Sequence, residues 1–130
     1  MGKSQRRIGQ TLERQVAKIL RPAFPDSDVA RGLQYRDATM CDVEGTPFRI
    51  ECKRREEKSK LSHPAILKFL EKATEEGKKF NDPRIPIIIA KLKGRHPAVV
   101  HLLLSDFVAL VERHFYKPEE NPPELVGFDD

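Results

Sequence analysis

The sequence predicts an α/β fold in which helices flank a mixed central β-sheet. Apolar residues recur at helical spacing near residues 4–21, 64–80 and 105–115, and short strand-like runs lie between these segments. At 130 residues the chain has the length of one domain with one core. No apolar run approaches the ~20 residues that cross a bilayer, and no signal peptide is evident. We therefore expect a cytoplasmic protein, of a prokaryote or of the host cell if the chain is viral.

The first predicted helix runs from about Ser4 to Arg21 and ends at Pro22. Its apolar positions are Ile8, Leu12, Val16, Ile19 and Leu20. Glu13 is the only acidic residue in this segment and lies at the edge of the apolar stripe. A carboxylate at that position is costly unless it has a partner or a metal ion.

Two strands are predicted on either side of a turn at residues 45–47, after a short strand or loop at residues 29–35. This turn places Asp42 and Glu51 on adjacent strands, nearly opposite each other. Two like charges in that arrangement are destabilising and require a counter-charge.

Strand alternation divides the second of these strands, RIECKRR, into two faces. Ile50 and Cys52 are predicted to pack on the core. The opposite row is predicted to face a cleft or water, and consists of Arg49, Glu51, Lys53 and Arg55.

The second half supplies a helix, two strands and a final helix. The helix at 64–80 is predicted to have Ser62 as its N-cap. Its predicted inner residues are Ile66, Leu67, Leu70, Ala73 and Gly77. IPIIIAK and AVVHLLL are both predicted to be buried strands, and the last helix is predicted to begin with Ser105 as its N-cap.

Charge is distributed unevenly along the chain. Residues 116–130 carry a net charge of −4 and are rich in proline, so they are predicted to form a flexible acidic tail after a single domain at 1–115. The first 115 residues then carry +8. A body this basic favours a polyanionic partner, most simply nucleic acid.

The predicted elements bring Glu13, Asp42 and Glu51 to one place, with Lys53 two residues beyond Glu51. Carboxylate oxygens are the ligands that Mg²⁺ prefers, and a metal between Asp42 and Glu51 would remove their repulsion. A metal at such a site lowers the pKa of a water and stabilises charge on a phosphate, while a neighbouring lysine orients or deprotonates that water.

This set of residues resembles the PD-(D/E)XK nuclease superfamily, whose common core is αβββαβ. Within it, GQTLERQVAKIL followed by VARG, CDV and RIECKRR is similar to the archaeal-type Holliday junction resolvases. The resemblance implies metal-binding roles for Glu13, Asp42 and Glu51 and a catalytic role for Lys53. It also implies that Arg31 is the counterpart of a DNA-contacting strand arginine and that Arg14 matches the arginine after the helix glutamate. With the basic segments, the predicted DNA-binding residues are Arg6, Arg7, Arg14, Arg31, Arg54 and Arg55.

The implied activity is Mg²⁺-dependent cleavage of branched DNA, with Mn²⁺ as the expected substitute for Mg²⁺. Paired nicks across a four-way junction require two active sites in fixed relation, which implies a homodimer. One alternative is a repair or restriction-type nuclease of the same fold that acts on other DNA structures. Another is a non-catalytic DNA-binding module, which the intact acids and Lys53 disfavour because acids facing DNA repel phosphate.

Overall fold

The computed structural model describes residues 3–32, 41–56 and 61–115 and shows an α/β fold. A short 3-10 turn, Arg21–Ala23, follows the first helix. The helices are α1 (Lys3–Leu20), α2 (His63–Lys79) and α3 (Leu104–Phe115). The strands are β1 (Ala30–Arg31), β2 (Val43–Glu44), β3 (Phe48–Arg55), β4 (Ile85–Leu92) and β5 (Val99–His101). The predicted order of helices and strands is confirmed.

The five described strands form one mixed sheet in the order β1-β2-β3-β4-β5. Strand β3 pairs with β2 in the antiparallel sense and with β4 in the parallel sense, while the remaining neighbours are antiparallel. Parallel neighbours require a crossover connection, and α2 supplies it between β3 and β4. Strand β3 is therefore central, with a partner on each side.

Helix α1 covers one face of the sheet and forms the main core with it. Leu12, Val16 and Ala17 of the helix are buried against strand residues that include Ile50 and Ile87. Cys52 joins this core as a partly buried neighbour, as its alternation with Glu51 predicted.

Helix α2 covers the other face, over β3 and β4. Its N-cap is Ser62, whose side chain accepts a hydrogen bond from the Ala65 backbone N–H at 3.2 Å, as predicted. Leu70, Ala73 and Gly77 are buried as predicted. Leu67 is 36% exposed, so its predicted place on the inner side was wrong.

Arg49 is buried rather than facing a cleft or water, which corrects the prediction for this position. Its side chain is 2% exposed and donates hydrogen bonds to Asp82 at 2.9 Å and to Glu76 at 3.4 Å. The hydrogen bonds that Arg84 donates to Asp82 are the main reason that the pKa of Asp82 lies well below its usual range, and the hydrogen bond from Arg49 adds to this effect. A buried guanidinium is tolerated here because two carboxylates pair with it.

The C-terminal part of the fold is less buried than its apolar sequence predicted. Strand β5 is only three residues long, and Val99 and Val100 are 48% and 53% exposed, so the predicted burial was wrong. Ser105 lies inside α3, which begins one residue earlier, and is therefore not its N-cap. The predicted tail at 116–130 lies outside the described residues. No described helix has the length and apolar character needed to cross a membrane.

Candidate active site

Asp42 and Glu51 lie opposite each other, as the sequence predicted. Val43 pairs with Ile50, and the same register places Asp42 across from Glu51 on one face of the sheet. The Asp42 backbone N–H donates to the Ile50 carbonyl at 3.0 Å, and the Cys52 backbone N–H donates to Asp42 Oδ2 at 2.8 Å. Asp42 is therefore held against β3 through both its backbone and its side chain.

A close contact between the backbone of Gly32 and that of residues 41–42 fixes the other side of Asp42. The Gly32 backbone N–H donates to the Asp42 carbonyl at 2.8 Å. A Cβ atom on Gly32 would lie 1.8 Å from the Cys41 carbonyl oxygen, so any larger residue would force the two segments apart. Glycine at position 32 therefore allows the chain after β1 to hydrogen-bond to the backbone of Asp42.

The carboxyl group of Glu51 faces Asp42 and has a raised pKa. Burial, the charge of Asp42 and a hydrogen bond with Asp42 raise its pKa to about 7, against the opposing effect of the Lys53 charge. Two facing carboxyl groups cannot both ionise cheaply in a partly buried site. A cation bound between them would remove this cost.

Glu13 reaches the same place from α1. Burial, and then the charge of Asp42, raise its pKa to about 7, while the charges of Arg31 and Arg14 lower it. The Arg31 Nε atom lies 3.7 Å from Glu13 Oε2, and both side chains are about one-fifth exposed. Glu13, the third predicted acid, is thus close enough to Asp42 to be affected by its charge, and it pairs with the Arg31 guanidinium.

Lys53 lies on the Glu51 face of β3 and contacts Phe69 of α2. Its Nζ atom is 4.4 Å from the centre of the Phe69 ring, a cation–π distance. The Arg55 guanidinium lies 5.9 Å from the same ring. Phe69 is a site residue that the sequence did not assign to this role, because its contact with β3 depends on where the crossover helix packs.

The fold places only some of the predicted DNA-binding arginines near the acids. Arg31 and Arg14 lie beside Glu13. Arg54 alternates with Lys53 and therefore lies on the opposite face of β3. Arg6 and Arg7 belong to α1, but their side chains are outside the part of the structure that is described.

The donor set fits a hard divalent cation with two protein carboxylates. Among the described residues, no group of three or more His, Cys, Asp or Glu side chains is arranged to hold a metal ion. Mg²⁺ is commonly bound through only one or two carboxylates, with water completing its shell. The facing carboxyl groups of Asp42 and Glu51 meet that requirement, and Glu13, the third predicted ligand, pairs with Arg31.

Comparisons with known proteins add no relative. None of the protein-family models, curated proteins or solved structures compared with the chain matches it.

The raised pKa values predict that the metal-free protein loses stability as the pH rises from about 4.5 to about 7. In this window the folded chain retains protons on Glu13 and Glu51 that the unfolded chain releases near pH 4.5, so the free energy of unfolding falls as pH rises. We expect a fall of about 1–3 kcal/mol between pH 5 and 7.5, since one pKa unit corresponds to about 1.4 kcal/mol and partial exposure reduces the effect. Urea unfolding in EDTA measures it.

The Glu51→Gln variant is the control for this experiment, since it removes one of the two titrating acids and should flatten the profile. Mg²⁺ should raise the free energy of unfolding of the wild type at pH 7.5 and have little effect at pH 5, where both acids hold protons. An identical slope in wild type and Glu51→Gln would contradict the assignment of the slope to this site.

Proposed function

We propose that this protein is a Mg²⁺-dependent endonuclease of the PD-(D/E)XK kind that resolves four-way DNA junctions by paired nicks. The observation that carries the proposal is the facing pair Asp42 and Glu51 with Lys53 on the same face and Glu13 beside them. The element order α1-β1-β2-β3-α2-β4 agrees with the αβββαβ core of that superfamily.

Asp42 and Glu51 are the residues that would hold the cation. When bound, Mg²⁺ supplies positive charge that offsets both carboxylates and the approaching phosphate. Glu13, paired with Arg31, is placed to accept a hydrogen bond from a water molecule at the edge of the site. At neutral pH and above, loss of the protons from Glu13 and Glu51 prepares the site for a cation.

Lys53 is proposed to position the attacking water and to take part in the transfer of its proton. Hydrolysis forms a bond between the water oxygen and phosphorus and breaks a bond between phosphorus and a sugar oxygen. The water loses a proton, and the departing sugar oxygen gains one. The contact with the Phe69 ring holds the Lys53 ammonium on the Glu51 face, where it can donate to a phosphate oxygen or to that water.

Arginine side chains near the acids are proposed to hold the DNA backbone. Arg14 is exposed, and Arg31 pairs with Glu13. Arg55 lies beyond Lys53 on the same strand face, and Arg6, Arg7 and Arg54 add to the basic body of the chain. Contacts to phosphates position a substrate without reading its sequence, which suits recognition of shape.

The proposal is tested by cleavage of a labelled four-way junction beside duplex, flap and single-stranded DNA of matched length, with and without Mg²⁺. We expect paired nicks in the junction only with the cation, and binding that weakens steeply as salt rises because several phosphates are contacted together. Cleavage of flaps or duplex in preference to junctions would favour a repair or restriction-type nuclease. Binding of DNA without cleavage at any pH would favour a non-catalytic module.

A further inference from the structure

A cavity of about 330 Å³ opens on the face of the sheet that α2 covers. Its walls come from the ends of β3 and β4, from β5 and the loop before it, and from the start of α2. This volume lies within the range of about 300–1,000 Å³ that is usual for ligand sites. Neither Asp42 nor Glu51 lines the cavity, so it is separate from the proposed metal site.

The strand register places the cavity next to Lys53. Val99 of β5 pairs with Ala90 of β4, and Ala90 pairs with Lys53 of β3, so these three residues form one row across the sheet. Paired residues share a face, and both Val99 and Ala90 line the cavity. Two strand spacings of about 4.8 Å separate Val99 from Lys53, or about 10 Å in all. A DNA strand held at Lys53 can therefore reach the cavity with a nearby nucleotide.

Arg55 connects the cavity to the candidate active site. It lies two residues after Lys53 on the same strand face and lines the cavity. Its guanidinium is 5.9 Å from the centre of the Phe69 ring, and the Lys53 ammonium is 4.4 Å from the centre of the same ring. Phe69 therefore keeps both cations on the side of the sheet where the cavity opens.

The walls of the cavity combine apolar side chains with imidazole rings. Leu61, Ile66 and Val99 belong to the apolar part. His96 and His101 add the imidazole rings. None of the described residues that line the cavity is acidic. Such walls favour a ligand that is flat and apolar in one part and anionic in another.

Two permanent cations at the cavity are anchored to the backbone and retain donors. The Lys91 Nζ atom donates to the carbonyls of Leu92 at 3.1 Å and Gly94 at 2.8 Å, which uses two of its three N–H groups. Arg55 Nη1 donates to the preceding carbonyl at 3.0 Å, and the guanidinium has further N–H groups. Both side chains can therefore donate to an anionic oxygen without leaving their positions.

We infer that the cavity binds one unpaired nucleotide of a branched DNA substrate, with the base against the apolar and imidazole walls and a phosphate at Arg55 and Lys91. Unstacked bases bind between apolar side chains, aromatic rings and guanidinium planes. A purely apolar ligand would leave the remaining donors of the two cations unused, and an inorganic anion would leave the apolar wall uncovered. Branched DNA supplies such a nucleotide where base pairing is interrupted. The inference rests on the proposed action of this protein on DNA.

Binding of junctions that differ in one nucleotide tests the inference without cleavage. In EDTA, one labelled junction carries an unpaired adenine nucleotide at the branch, and the other carries an abasic nucleotide in its place. The wild type should bind the junction with the adenine about tenfold more tightly, as expected for one stacked base. Equal binding of the two junctions would overturn the inference.

Val99→Phe should abolish this tenfold preference, because the larger side chain fills the cavity. Val100→Phe is the matched control and should retain the preference. The two valines are adjacent and 48% and 53% exposed, but Val100 points to the opposite face of the sheet. Both variants should keep the far-UV circular dichroism spectrum of the wild type. A preference that persists in Val99→Phe would overturn the inference.

Lys91→Gln tests the phosphate contact without adding volume to the cavity. It should weaken binding of the junction with the unpaired adenine by about threefold. Lys93→Gln is the control and should bind as the wild type does, since Lys93 is exposed and its Nζ atom lies 3.6 Å from Glu56 Oε1. An equal loss in both variants would overturn the assignment of the phosphate to Lys91.

A free mononucleotide is the other source of the same chemistry. Titration with dAMP, followed by methyl NMR shifts of Ile66 and Val99, distinguishes it from DNA. Shifts that require millimolar dAMP support the inference, because a free nucleotide lacks the contacts of the rest of the strand. Saturation at micromolar dAMP, together with equal binding of the two junctions, would overturn it and assign the cavity to free nucleotides.

Cleavage assays separate this inference from the proposed function. A tenfold preference for the unpaired base in a chain that cleaves no DNA would support the cavity as a nucleotide site and remove the nuclease. Junction cleavage without that preference would overturn the inference and leave the nuclease in place.

Discussion

Asp42→Asn and Glu51→Gln should each abolish DNA cleavage while leaving junction binding intact or tighter. Each substitution preserves the size of the side chain and removes one of the two facing carboxylates that are proposed to hold Mg²⁺. Metal assistance is worth several kcal/mol in such reactions, so we expect the rate to fall by at least about a thousandfold. Binding should survive because an amide no longer repels the phosphate backbone.

Single-turnover cleavage of a junction, with binding measured in Ca²⁺ or EDTA, separates the two effects. Assays at pH 8 ensure that Glu13 and Glu51, with pKa values raised to about 7, are ionised in the wild type. Glu71→Gln, an exposed acid-to-amide change on α2, is the control and should cleave normally. Near-wild-type cleavage by Asp42→Asn or Glu51→Gln in Mg²⁺ would remove Asp42 and Glu51 from the active site.

The Asp42–Glu51 pairing was predictable because its signals are local. A turn at 45–47 fixes the register of β2 against β3, and Gly45 adopts a positive φ of 91° within it. Register and alternation together decide which acids face each other. The position of Glu13 could be predicted from the helical period of α1 and from the packing of that helix on the sheet.

The burial of Arg49 was not predictable from the strand alone. Alternation correctly separates Arg49 and Glu51 from Ile50, but it does not say what covers that face. The partners of Arg49 are Glu76 and Asp82, which lie 27 and 33 residues further along the chain. Only the placement of α2 and of the turn after it brings them to β3.

The exposure of β5 shows a related limit of sequence patterns. An unbroken apolar run predicts a buried strand when both faces of the sheet are covered. That condition holds for β4, where residues 87–89 are buried. It fails one strand further out, since Val99 and Val100 of β5 are each about half exposed.

Lys53→Ala should lower the cleavage rate by about 10²–10⁴-fold, the range for a positioned acid–base group, with little change in Mg²⁺ affinity. The variant removes the ammonium that contacts the Phe69 ring and faces Glu51. It also removes a charge that lowers the pKa of Glu51, so part of the loss at pH 7 reflects incomplete ionisation of that acid. Single-turnover rates from pH 6 to 9 measure both contributions.

Two further variants decide what Lys53 contributes. Lys53→Arg keeps the positive charge, but arginine does not release a proton near neutral pH. The variant should therefore remain strongly impaired if Lys53 takes part in proton transfer from the attacking water. Lys72→Ala, which removes an exposed cation of α2 that is outside the proposed DNA-binding residues, should cleave nearly normally and reports the effect of lost surface charge alone. If raising the pH or lowering the salt concentration restored Lys53→Ala to the wild-type rate, Lys53 would be acting through electrostatics and not as a proton-transfer group. A loss of rate that persists at pH 9 and in Lys53→Arg would assign proton transfer to Lys53.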